Sequence, residues 1–73
     1  MKTYEEAIGC EARIIAMDEK KADSGLLDEH EIMQRNNERY GFINAISIIY
    51  EVGMAKVIHD VQNALLSIKD GDK

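Results

Sequence analysis

The sequence predicts an all-α protein, a small antiparallel bundle of two to three helices in a single domain spanning residues 1–73. Three observations carry that prediction. No proline interrupts the 73 residues, which suits long helices joined by few turns. Apolar side chains recur at steps of three and four residues instead of alternating. Two sets of capping residues mark where helices begin. At 45% hydrophobic, the chain is also too apolar to remain disordered.

The first helix is expected over about residues 3–22. Thr3-Tyr4-Glu5-Glu6 is a capping box, in which the Thr3 hydroxyl accepts from the Glu6 amide and the Glu6 carboxylate reaches back to the Thr3 amide. Tyr4, Ala7, Ile8, Cys10, Ala12, Ile14, Ile15 and Met17 follow at helical spacing. Lys20 and Lys21 suit the negative end of the helix dipole. Gly25 can take the left-handed conformation that stops a helix.

A second helix is expected over about residues 28–40. Asp28 serves as N-cap with Glu31 at the third helical position, and Leu27 and Ile32 form a hydrophobic staple. Asp28, Glu29 and Glu31 thus have a structural reason to cluster, since negative charge favours a helix N-terminus. From Leu26 a seam runs through His30, Met33, Asn37 and Tyr40 to Ile43, Ile46, Tyr50, Met54, Val57, Val61, Ala64 and Ile68. Its first half is poor and its second half rich. A break or kink is therefore expected near Gly41, with a third helix over about 42–70, although one kinked helix over 28–70 would satisfy the same pattern. Gly53 is a milder interruption, Gly71 is the expected end, and residues 70–73 are expected to fray. Both Gly41 and Gly53 could allow helices to approach closely.

Read as one helix, Phe42 to Ile58 carries an apolar arc of about 240°, against about 100° for a one-sided helix. Such a helix needs neighbours on two sides. This predicts self-association, a homodimer or higher, through Ile46, Ile48, Ile49 and Val52. The β-branched content of residues 42–50 would also allow a strand, but no partner strand exists elsewhere.

Composition excludes several functions. A net charge of −5 argues against direct nucleic-acid binding, which needs clustered cations. One cysteine cannot form an intrachain disulfide, and the N-terminal residues lack the apolar run of a secretory signal, so a cytoplasmic setting is expected. The uncharged stretch ending at Tyr50 falls far short of the roughly 20 residues that span a bilayer, so no membrane partner is expected.

No candidate catalytic site survives inspection, and no metal or cofactor is expected. His59-Asp60, with His30 upstream and Asp70 downstream, resembles the pattern of metal-dependent phosphohydrolases only loosely. These residues read more simply as the exposed side of a helix whose core positions are Val57, Val61 and Leu65. Asp28-Glu29-His30-Glu31 cannot converge as an acid/base set, because helical neighbours one and two apart point in different directions. Cys10 sits among apolar residues with no local histidine to activate it. Arg35, Arg39 and Tyr40 form the one cationic and aromatic grouping. They could hold a phosphorylated metabolite or nucleotide, or the arginines could pair with Glu31 and Glu38 along their own helix.

The resulting expectation is a non-enzymatic protein that works by protein–protein interaction, a small homo-oligomeric regulator or inhibitor. Its size and style are those of accessory proteins of bacteria, plasmids and phages. The first 40 residues hold six Lys/Arg against ten Asp/Glu. An acidic surface including Glu29 and Glu38 would therefore suit a partner with a basic surface.

Overall fold

The computed structural model describes residues 2–71 and contains three helices, α1 (Tyr4–Asp23), α2 (Glu29–Ile49) and α3 (Met54–Gly71). The fold is a small helical bundle, in which α1 makes its most extensive contact with α3. Part of the fraying expected over 70–73 falls on residues 72 and 73, outside the described residues.

Local chemistry accounts for the ends of α1. Thr3 Oγ1 accepts from the Glu6 amide at 3.2 Å, and Glu6 Oε1 accepts from the Thr3 amide at 3.4 Å. This closes the capping box and satisfies two otherwise orphaned donors. At the other end Gly25 takes a φ of 75°. Its amide donates to the Ala22 carbonyl at 3.1 Å, and the Leu26 amide donates to Lys21 at 2.9 Å. These two bonds form a Schellman stop. The cap of α2 is half of the expected pair: Asp28 Oδ1 accepts from the Glu31 amide at 2.8 Å.

The break between the second and third helices lies at residues 50–53, not near Gly41. α2 runs unbroken through Gly41, and a Cβ built there meets nothing within 4 Å. Neither a turn nor a close approach within the chain uses that glycine; Gly53 lies in the α2–α3 turn, but without a positive φ and with nothing within 4 Å of an added Cβ. A mid-helix glycine costs about 1 kcal/mol, which the burial of Ile43 and Ile46 two and five residues later outweighs. The turn itself rests on Glu51, whose φ is 54°. The Val52 amide bonds back to Ser47 O at 3.0 Å, and Ser47 Oγ donates to the Val52 carbonyl at 2.6 Å. Gly53 O accepts the first α3 bonds from Lys56 and Val57 at 3.1 Å each. The axes of α2 and α3 bend by 118°. Phe42 to Ile58 is thus two helices and a turn, and the 240° arc expected of it does not exist.

Ile8, Ala12 and Ile15 of α1, Ile43 and Ile46 of α2, and Val57 and Val61 of α3 make the core. Tyr50, Ala64 and Leu65 pack around it. Apart from Met54, which is exposed, the second half of the predicted seam is therefore buried or half-buried. The first half is not: Leu26, Met33 and Tyr40 are largely exposed. Ile14 and Met17 of α1 also face water, while Glu11 and Asp18 occupy the buried face in their place.

Candidate interaction surface

The interior face of α1 carries two carboxylates, and α2 answers with two arginines. Positions 8, 11, 15 and 18 fall on one side of a 3.6-residue helix, so Glu11 and Asp18 are buried with Ile8 and Ile15. Arg35 Nη1 donates to Asp18 Oδ1 at 2.6 Å across the α1–α2 interface. One turn further on, Arg39 lies near Glu11. Burial raises the Glu11 pKa above its ordinary value; the Arg39 cation pulls it down, and the Asp18 charge pushes it up again. Glu11 Oε1 and Arg39 Nε are both buried without a hydrogen-bond partner among the described residues.

This arrangement decides what α2 shows to solvent. Arg35 and Arg39 are its only cations, and both turn towards α1. Its exposed charges are Glu29, Glu31 and Glu38. Glu29 and Glu38 are nine residues apart, which places them on opposite sides of the helix, about 180° from each other. It is Glu31, seven residues away, that shares a side with Glu38. Five large apolar side chains also remain exposed on α2: Met33, Tyr40, Phe42, Ile48 and Ile49.

The site residues expected from sequence separate accordingly. Ile46 is 8% exposed and belongs to the core of the single chain, so it cannot form a surface. Ile48 and Ile49 are 68% and 56% exposed. Val52 is half-buried in the turn. Tyr40 is exposed and does not join Arg35 and Arg39 in the α1–α2 seam. Arg35 pairs with Asp18, not with Glu31 or Glu38 along its own helix.

A second polar cluster, which sequence reasoning missed, lies where the start of α1 meets the start of α3. Tyr4 Oη donates to Asp60 Oδ2 at 2.7 Å, and Lys56 Nζ donates to the same oxygen at 2.6 Å. Lys56 also lies 5.2 Å from the centre of the Tyr4 ring. Burial and the Asp60 carboxylate raise the Tyr4 pKa from 10.0 to about 12. The hydrogen bonds from Lys56 and Tyr4 lower that of Asp60. Tyr4 meets Tyr50 edge to face at 5.8 Å, and Tyr50 Oη donates to the Lys2 carbonyl at 2.6 Å. The groove beside this cluster measures about 410 Å³ and is lined by Tyr4, Ile8, Lys56 and Asp60 among others. Its polar groups already satisfy one another. The only sequence signal was the four-residue step from Lys56 to Asp60.

Cys10 is a half-buried free thiol, with Lys2 Nζ 3.3 Å from its sulfur. His30 and His59 are both exposed, and His59 Nε2 contacts Asn63 Nδ2 at 3.1 Å. No group of three His, Cys, Asp or Glu among the described residues could hold a metal ion. No single helix among them is long and apolar enough to cross a membrane. Neither a family model, nor a curated protein, nor a solved structure matches the chain.

Proposed function

We propose that this protein acts without catalysis, by binding protein surfaces, as a small acidic and self-associating regulator or inhibitor. One observation carries the reading. Arg35 is held by Asp18 and Arg39 lies near Glu11, so the fully exposed charges of α2 are Glu29, Glu31 and Glu38, beside exposed Phe42, Ile48 and Ile49. Leaving such side chains in water forfeits roughly 1.5–3 kcal/mol each relative to burial. A homodimer or larger assembly covers them. The acidic charge suits a further partner with a basic surface, in a cytoplasmic setting where Cys10 stays reduced. Binding of a small phosphorylated ligand by Arg35, Arg39 and Tyr40 gains no support, because both arginines face buried carboxylates.

Light scattering across a dilution series tests the reading. The expected result is a mass above 8.3 kDa that falls on dilution, and a loss of association in Ile49→Asp without loss of helix content. An 8.3 kDa monomer at every concentration would remove the support for self-association.

A further inference from the structure

Phe42 is 52% exposed on α2, and Glu38 lies one turn before it on the same side. On the opposite part of the molecule, α1 and α3 enclose an open groove of about 210 Å³. It is lined by the apolar Ala16, Met17 and Ile68 together with Arg13 and Lys20. Met17 is 57% exposed there. Arg13 precedes Met17 by four residues and Lys20 follows it by three, so a cation stands one helical turn away on either side of Met17.

One surface thus offers a bulky apolar side chain with an anion one turn away. The other offers an apolar slot with cations one turn away. The chemistry is complementary, and both halves belong to the same chain. We infer that Phe42 of one molecule seats in the Ala16–Met17–Ile68 groove of a second copy, with Glu38 opposite one of its cations. This rests on the self-association proposed above and makes its contact head-to-tail, not a two-fold one of α2 on α2. Charge supports that choice. In a parallel two-fold pairing of α2 through Phe42, each Glu38 faces its own copy, and like charges in an interface are unfavourable. In an antiparallel one it lies at the level of residue 46, where α2 carries no cation, so only the head-to-tail contact gives Glu38 a cation. A head-to-tail contact leaves an unused knob at one end and an unused groove at the other, so it propagates or closes into a ring.

Two variants test the geometry by complementation. Phe42→Ser removes the knob and keeps the groove; Met17→Glu blocks the groove and keeps the knob. Both residues are exposed, so each variant should keep wild-type helix content by circular dichroism. The expected result is that each alone stays at 8.3 kDa, while an equimolar mixture forms a heterodimer of twice that mass and stops there. Wild-type protein should grow past the dimer or close into a ring, and more weakly at high salt. If Met17→Glu associates like the wild type while Phe42→Ser does not, the contact is α2 on α2. The head-to-tail inference then falls while self-association stands. A wild-type protein that is monomeric throughout overturns both.

Discussion

Arg35 of α2 and Asp18 of α1, 17 residues apart in the chain, are joined by a 2.6 Å ion pair in which the carboxylate is almost wholly buried. The pair does two things at once. It satisfies a charge inside a small core, and it commits to α1 the one cation that lies beside Glu31 and Glu38 on α2.

Breaking that pair from one side should cost more than removing it entirely. Arg35→Leu leaves Asp18 buried without its donor, a loss of about 1–3 kcal/mol. Replacing both residues by leucine should recover much of that loss. Urea denaturation of the two single variants and the double variant measures the coupling directly.

Tyr4 should make the fold sensitive to alkali. Its pKa is raised from 10.0 to about 12, so folding favours the neutral phenol. The resulting stability is present in full below about pH 10 and is lost as pH climbs towards 12. Tyr4→Phe, which deletes the bond to Asp60, should cost about 1 kcal/mol near pH 8. By pH 12 that advantage of the wild type should be gone or reversed. Thermal unfolding at several alkaline pH values checks both limits.

Glu11 pulls the other way. Its raised pKa means that the charged form suits the folded chain less well than the neutral form does. Stability should therefore gain from Glu11 as pH falls through its folded pKa towards the ordinary glutamate range, against the loss expected from Asp60 at lower pH. Glu11→Gln should be more stable than the wild type at pH 7, and that advantage should vanish under acid.

The α2–α3 turn holds a glutamate in a left-handed conformation, at a φ of 54°. Glu51→Gly should stabilise the protein by about 1 kcal/mol, because glycine adopts that backbone without the Cβ clash. The denaturant midpoint should rise with an unchanged slope.

Gly41→Ala makes a matching test of the helix that runs through it. With nothing within 4 Å of the added methyl group, the substitution should stabilise by about 1 kcal/mol. A turn at Gly41 would give the opposite sign.

These two positions also show how far the sequence could be read. The helical-bundle class, both ends of α1 and the start of α2 are legible, because Thr3, Glu6, Gly25 and Asp28 act through bonds to residues a few places away, while the choice between two and three helices stays open in the sequence. The break was misplaced because Gly41 offers conformational freedom that the fold does not use, while Glu51 takes a conformation its side chain does not advertise. The α1–α2 charge layer was hidden for a related reason. Periodicity marks apolar positions, so Glu11 and Asp18 were passed over on the buried face and Ile14 and Met17 were counted towards it. Whether a carboxylate points inward depends on a cation from another helix, and only the assembled structure brings Arg35 and Arg39 to it.

The charge layer also fixes alignment. Hydrocarbon surfaces tolerate sliding, since isoleucine packs nearly as well one turn up or down. Buried ions do not. Moving α2 by one turn along α1 so that Arg39 reached Asp18 would leave Glu11 with no cation at all, in an interior built from Ile8, Ile15 and Ile43. With only seven buried apolar residues among those described, the bundle has little hydrocarbon with which to distinguish one register from the next. Four charged groups make the distinction instead, and the same selectivity that aligns α2 keeps its knob, Phe42, at a fixed height on the molecule.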